Sequence, residues 1–300
     1  MSMSVNPQSE LFSTATVTQY GSHMIMSDVY KPTKHKYIHI DTQYCDNYRA
    51  TNQGATLMLT LPERITNVKS IEIENIEVPQ SFFNIYNLKE NNSFKLISVD
   101  TNEEMVIVLP DNQYTIDTLV AELNNQVDME SLAFSKLDNM YIQLTNTTGS
   151  DYIIDFSVLS TGSVDKYNIK HKLGWILGFR SAKYTITDTS TIVGESIVNL
   201  IGTKYLYLVI DDFSKGVENT FITNSNKQQI IAKVILNKQI YPFGSILPAS
   251  PANGLLMSDV RKYSGNTQLH KLSIQLLDDC GLVVDLNQID FSFCIKVCYE

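Results

Sequence analysis

The sequence predicts a mainly β fold: a jelly-roll-like antiparallel β-sandwich with an inserted helix-containing segment and an extended N-terminal arm. The 300 residues include 16 Tyr and 12 Phe, and aromatic side chains are enriched in strands. Many short apolar runs alternate with polar residues and end in Asn, Asp, Gly, Pro or Ser. This spacing is typical of sandwiches and barrels. Only one segment has a clear helical stripe.

Alternation of apolar and polar residues places the first strands. It predicts strands at 37–41 and 57–61, with Pro62 ending the second. Between Val68 and Val78 the apolar residues change parity, which predicts a bulge near Glu74-Asn75. Further strands are expected around these ranges, in chain order: 93–99, 105–109, 140–145, 152–158, 205–210 and 230–236.

The C-terminal segment has the strongest β pattern. Apolar residues alternate over 272–276, turn residues follow at 278–281, and a second apolar run at 282–286 predicts a hairpin. A last strand is expected to bury one face, formed by Phe291, Phe293, Ile295 and Val297.

The segment 241–266 is rich in Pro and Gly, which favours a long surface excursion. Its apolar residues are costly to leave in water. They are expected to dock either on the chain's own domain or on a partner. The apolar residues concerned are Phe243, Ile246, Leu247, Leu255, Leu256 and Met257.

The helix is predicted at 116–127, where Thr115 can cap the first turn and Leu119 and Leu123 lie on one stripe. A second helical turn is possible at 168–177, where Gly174 and Gly178 favour a turn and close packing. The expected organisation is an arm at 1–35, which lacks sustained periodicity, and a sandwich domain at 36–300. The insertion is expected at about 110–180.

Charge and hydropathy limit the partners of the chain. A net charge of -9 opposes contact with a polyphosphate, so no direct nucleic-acid binding is expected. The basic clusters at 31–36 and at Arg261-Lys262 are short and are interpreted as solvated surface. No run of 18 apolar residues and no signal-peptide core is present, so no transmembrane segment and a soluble intracellular site of synthesis are expected.

Residues that carry chemistry form no recognisable constellation in the sequence. The spacing of the five histidines and four cysteines fits no metal or redox motif, and reduced thiols are expected. Cys294 and Cys298 lie about 13 Å apart on an extended strand at about 3.3 Å per residue, too far to bond to each other. The pairs Asp211-Asp212 and Asp278-Asp279 are interpreted as turn residues, although paired carboxylates also serve glycosidases. No catalytic, cofactor-binding or metal residue is predicted, and no cofactor.

An ordered series of short motifs resembles the minor capsid and penton proteins of nucleocytoplasmic large DNA viruses, such as the chlorella-virus and mimivirus groups. The series spans about residues 37–297, and its order is more specific than any single motif. Cys45 stands where the family pattern has a basic residue before the second Asp, here Asp46, which removes a charge. The matching segments are 40–44, 59–62, 67–71, 77–85, 177–179, 205–208, 231–234, 258–263, 276–278 with Gly281, 285–286 and 290–293.

The resemblance implies a non-enzymatic structural component of an icosahedral capsid, a minor capsid protein that stabilises the major capsid lattice. Its implied partners are other capsid proteins, mainly the major capsid protein and copies of itself, and its implied location is the virion capsid after synthesis in the host cytoplasm. Three alternatives stay open: a penton position at fivefold vertices, a carbohydrate- or receptor-binding module, and an enzyme with an unrecognised site. A binding module needs exposed aromatic residues on one face, and the candidates are Tyr86, Tyr141, Tyr241, Phe243 and Tyr263.

Overall fold

A computed structural model of the chain describes residues 32–46, 57–128, 131–165, 167–214 and 229–300, and the two short segments 16–17 and 23–24. The predicted arm at 1–35 therefore lies largely outside the described residues. In chain order the first strands and the helix are β1 (Thr16–Val17), β2 (His23–Met24), β3 (Lys34–Asp41), β4 (Leu57–Pro79), β5 (Ser93–Ser98), β6 (Glu104–Val108), α1 (Ile116–Val127), β7 (Leu132–Lys136), β8 (Ile142–Asn146) and β9 (Tyr152–Asp155). The remaining elements are α2 (Leu173–Leu177), β10 (Lys183–Ile186), β11 (Ser190–Val193), β12 (Tyr205–Asp211), β13 (Ile230–Ile235), β14 (Ile246–Ala249), β15 (Leu256–Ser258), β16 (Arg261–Leu277) and β17 (Ser292–Tyr299).

The described strands form antiparallel sheets, and the predicted jelly-roll-like β-sandwich is confirmed. The largest sheet has the order β15-β13-β12-β16-β4-β17-β3, and β14 pairs with β4 beside this path. The long strands β4 and β16 pair with each other in the middle of this sheet, and the sheet encloses one apolar core. Phe293, Ile295 and Val297 point into that core from β17, as the alternation predicted.

The long strand β4 contains two irregularities. In the pairing with β17, Asn75 lies opposite Cys294 and Ile73 opposite Ile295, so Glu74 is the extra residue of the predicted bulge. The prediction that Pro62 ends a strand is wrong, because β4 continues to Pro79. Pro62 falls where the register with β16 shifts, between Thr60 and Ile65, and proline is tolerated at such a shift.

The residues that follow β4 and precede β12 in the sequence form a second apolar core. It draws on residues from Ile85 to Val198, a wider span than the predicted 110–180 segment. The span is wider because β5 and β6 on one side and β10 and β11 on the other complete the sheets. Helix α1 has the predicted bounds, is capped by Thr115 and buries Leu119, Leu123 and Val127.

The second helical turn is short and is fixed by two glycines. Helix α2 follows a 3-10 turn at Ile169–His171. A Cβ on Gly174 would lie 2.4 Å from the Phe156 ring, and Gly178 has φ +100 with Ser196 O at 2.0 Å from its Cβ position. The predicted close packing of these glycines is therefore present.

Two sequence predictions in the C-terminal part need correction. The segment 241–266 is not one surface excursion, because β14 pairs with β4, β15 pairs with β13 and β16 begins at Arg261. Leu247 and Leu256 anchor these strands in the core. The predicted hairpin has its turn, but the returning segment makes only the bridge between Leu277 and Val283. It then leaves the sheet, where the Leu286 carbonyl accepts a hydrogen bond from Ser81.

Candidate assembly surfaces

The carboxylate pair at the end of β12 is structural. Asp211 accepts a hydrogen bond from the backbone N–H of Phe213, and Asp212 accepts one from that of Ser214. These bonds confirm the predicted turn role. Asp212 also lies 3.6 Å from the Arg261 guanidinium and accepts a hydrogen bond from Tyr263. Arg261 is 1% exposed and donates to the carbonyls of Ile210 and Gln229, so its interpretation as solvated surface is wrong. Burial, followed by the Asp212 charge, raises the pKa of Tyr263 above its ordinary value.

In the second carboxylate pair, Asp278 holds a turn. Asp278 accepts hydrogen bonds from the backbone of Cys280 and Leu282, and its other oxygen lies 3.1 Å from Lys89 Nζ. Among the described residues, Asp278, Asp279 and Cys280 place three possible metal ligands within 4.8 Å of one another. The Lys89 ammonium already supplies a positive charge there. Burial and Asp278 raise the pKa of Cys280 to about 11, which favours the thiol over the metal-binding thiolate.

Histidines and cysteines are dispersed over the described part of the chain. His35 and His39 are exposed on β3, and His171 Nδ1 lies 3.6 Å from Cys280 Sγ. All four cysteines are free thiols, as expected. No helix within the described ranges has the length and apolar character needed to cross a membrane.

A further ion pair ties the segment before α2 to the rest of the second core. Lys172 is 1% exposed, and its Nζ lies 3.1 Å from Asp165 and 3.3 Å from Glu90. Desolvation is the largest single influence on the pKa of Asp165 and raises it. Hydrogen bonds from Lys172, Asn168 and the Tyr167 backbone, together with the Lys172 charge, outweigh desolvation and leave that pKa lowered. The charged pair therefore fixes the fold locally.

A groove of about 510 Å³ lies between the strand ends of the two cores. Its walls include Ile201 and Ile235, which are 58% and 42% exposed. Lys238 is in the groove, donates to the Ile201 carbonyl and lies 5.8 Å from the Phe82 ring centroid. Burial, helped by the Lys89 charge, lowers the pKa of Lys238 to about 8. This groove combines apolar walls with a partly desolvated amine.

A smaller hollow of about 170 Å³ lies where β14, β4 and β17 meet. Ile246 and Ile289 line it and are 63% and 52% exposed. Asp41 and Glu77 are also among its lining residues. The hollow is large enough for one apolar side chain with a positive charge beside it.

Strand β6 forms the third surface, an open edge of the sheet with the order β10-β9-β5-β6. Three of its five residues are apolar and exposed: Met105, Val106 and Val108 are 43%, 37% and 36% exposed. Exposed apolar edge strands are ready templates for pairing with another strand.

Other edge strands carry features that oppose such pairing. β3 begins with Lys34, His35 and Lys36, and β14 contains Pro248. β15 has three residues. On β7 the Asn124 side chain of α1 pairs with both the N–H and the carbonyl of Phe134. These are the usual protections of sheet edges.

The aromatic residues considered for a ligand-binding face do not gather on one surface. Tyr86 and Tyr263 are buried, while Tyr141 and Tyr241 are half-buried. Phe243 is 50% exposed and stacks on Phe83 with ring centroids 5.8 Å apart.

Sequence reasoning located none of the three surfaces, although it named Ile246 and Leu255 among the apolar residues expected to dock on the chain's own domain or on a partner. The strand at 105–109 was predicted, but its position at a sheet edge depends on which strands pair, and no local pattern encodes this. The run of four consecutive apolar residues from Met105 to Val108 is the one sequence signal for the β6 edge, because strict alternation would leave polar residues on one face. The hollow joins residues that are far apart in the sequence, such as Glu77 and Ile289. The groove joins two separate segments, from Leu200 to Lys204 and from Ile235 to Leu255.

Comparison with known proteins gives a likeness to two virus structures. A mavirus penton protein aligns with a TM-score of 0.39 and 10% identity, covering 89% of this chain and 99% of the penton chain. A chain of the Sputnik virophage structure aligns with a TM-score of 0.36 and 11% identity, covering 90% and 98% of the two chains. No protein-family model and no curated protein matches the sequence.

Proposed function

We propose that this chain is a structural component of an icosahedral virus capsid that acts through protein–protein interfaces. In the specific form of the proposal it is a minor capsid protein, which stabilises the major capsid lattice by contacting the major capsid protein and copies of itself. It is made in the host cytoplasm and resides in the virion. The ordered motifs that resemble minor capsid and penton proteins support the proposal.

The observation that carries the proposal is the distribution of apolar surface. The groove at Lys238, the hollow at Ile246 and the β6 edge are three separate places that each suit a protein contact. A lattice protein meets several neighbours at once, whereas a module for one ligand concentrates its apolar and aromatic residues at one site. The buried ionisable groups, by contrast, are engaged in ion pairs and turns that hold the fold.

Quantitative mass spectrometry of gradient-purified virions tests the proposal. The chain is expected at a fixed molar ratio to the major capsid protein, and external protease and salt washing are expected to leave that ratio unchanged. The ratio also separates two positions, because a protein confined to fivefold vertices is present in far fewer copies than one that follows the whole lattice. Absence of the chain from washed virions would contradict the proposal.

A further inference from the structure

Every second residue of β6 points its backbone N–H and carbonyl groups away from β5, towards the open edge of the sheet. The N–H of Leu109 donates to the Asn92 carbonyl, on the side of β5. Backbone groups alternate in direction along a strand, so those of Met105 and Ile107 also face β5. The groups of Glu104, Val106 and Val108 point the opposite way. In the described part of the chain, β5 is the one strand that pairs with β6.

The side chains on this edge permit close approach of a second strand. Val106 and Val108 lie on the outer face of the sheet, away from the core that receives Ile107. The chain's own Gly162 lies beside the Val106 side chain, where an added Cβ would be 3.0 Å from Val106 Cγ2, and Val106 remains 37% exposed. Glu104 is the one charged residue of β6, and its carboxylate lies 2.7 Å from Lys95 Nζ on the neighbouring strand. The edge therefore carries an apolar pair with a neutralised charge at its start.

We propose that β6 of a second copy of this chain pairs with β6 in an antiparallel manner about a twofold axis at Val106. The inference rests on the proposed function for its biological setting, since it names a copy of the chain as the partner at one surface. In this register Val106 lies opposite Val106 of the second copy, and Glu104 lies opposite Val108. The two four-stranded sheets then form one continuous sheet.

Charge and symmetry favour a second copy as the occupant. A twofold interface uses the same patch on both copies, so the patch must be complementary to itself. The register at Val106 meets this condition, because it keeps the two Glu104 carboxylates apart and brings the valines together. A register centred on Glu104 would place like charges directly opposite, which destabilises strand pairs.

Sedimentation equilibrium of the full chain and its variants tests the inference. Wild type is expected to dimerise with increasing concentration. Val106→Lys and Val106→Glu each place like charges across the axis, and each is expected to weaken the dimer by about tenfold or more. An equimolar mixture of the two variants is expected to restore dimers, because opposite charges then face each other. Val108→Lys is expected to strengthen the dimer, since the new ammonium faces Glu104 of the second copy.

Val193→Lys is the matched control, because Val193 is 43% exposed on the short edge strand β11. It is expected to dimerise like wild type. Wild type that stays monomeric up to about 1 mM, an association weaker than about 4 kcal/mol, would overturn the inference. Dimers of Val106→Lys at wild-type strength, or a mixture that fails to associate, would also overturn it and would point to another strand as the occupant of this edge. None of these outcomes changes whether the chain is found in virions, so the two proposals fail separately.

Discussion

Arg261 and Asp212 form a charged pair in the interior of the sandwich, and its energetics depend on whether one partner or both are replaced. The guanidinium is 1% exposed and makes two further hydrogen bonds to carbonyls. The sequence placed Arg261 on the surface because it precedes Lys262, and short basic pairs are usually solvated. Burial of the arginine follows from the pairing of β16 with β4 and from the position of β12, which are contacts distant in the sequence.

Asp212→Asn is therefore predicted to lower the free energy of unfolding by about 3 to 5 kcal/mol, because it leaves Arg261 buried without its counter-charge. The matched control is Asp211→Asn, one residue earlier, which keeps its turn acceptor and is expected to change stability little. Urea denaturation measures both. The single variants Asp212→Leu and Arg261→Met and the double variant that combines them complete the test. The double variant is expected to lose much less stability than the sum of these two singles, and a loss equal to that sum would show that the two groups do not interact.

The lowered pKa of Lys238 predicts how the free energy of unfolding changes with pH. Its folded pKa of about 8 lies below the ordinary value of 10.5, because burial disfavours the ammonium. The unfolded chain therefore binds more protons between these two values, and stability attributable to Lys238 rises as pH increases through that window. Below pH 8 the full cost of burying the charge is present. Lys238→Met removes this cost, so its stability relative to wild type is expected to be highest below pH 8 and to decline towards pH 10.5.

Urea denaturation of wild type and Lys238→Met at a series of pH values measures this difference. A difference that stays constant across the window would show that Lys238 has the same pKa in the folded and unfolded states.

At the scale of the element, the strands that alternate strictly were predictable. The bulge at Glu74 was visible in the sequence, because an inserted residue is the usual cause of a parity change within one apolar run. Helix α1 was equally clear, since its cap and its stripe agree. Strands β14 and β15 were missed because Pro and Gly surround them, and only their pairing with β4 and β13 identifies them.

The packing of strand β17 predicts the effect of removing one of its buried side chains on stability. Phe293 is 0% exposed and stacks on Phe291 with ring centroids 6.0 Å apart. Phe293→Ala is expected to destabilise the protein by about 3 to 5 kcal/mol, the usual cost of removing a large buried aromatic side chain. Thermal or urea unfolding measures it. Cys294→Ser, at the next position and on the opposite face of the strand, is the control with a small expected effect. An unchanged melting curve for Phe293→Ala would contradict the packing of β17 against β4.

At the scale of the whole molecule, the sequence predicted the fold class and the positions of many strands along the chain. It did not predict that the second core would extend from Ile85 to Val198, because β5 and β11 join that core through pairings that no local pattern encodes. The three candidate assembly surfaces arise in the same way. Each is made of residues whose neighbours are set by the topology, so sequence reasoning could propose a class of function but could not identify the contacts.

The N-terminal arm is expected to contribute to assembly and not to the stability of the isolated chain. β3 begins at Lys34, which pairs with Tyr299, so the strand starts within the expected arm. Deleting residues 1–31 keeps β3 complete, and the truncated chain is expected to melt close to wild type. Ordering an arm costs about 1 to 2 kcal/mol per residue in backbone entropy, so we expect it to become ordered only through contacts with neighbouring subunits. Incorporation into particles is therefore expected to fall. A truncated chain that fails to fold would assign the arm to the chain's own core.

A particle reconstruction tests most directly the proposal that the chain is built into the shell of a virion. We expect shell density, beside the major capsid lattice, that fits the long strands β4 and β16 with the second core attached. We also expect the β6 edge, the hollow at Ile246 or the groove at Lys238 to lie against neighbouring protein. Shell density fully explained by other proteins, with no place for this sandwich, would contradict the proposed capsid role.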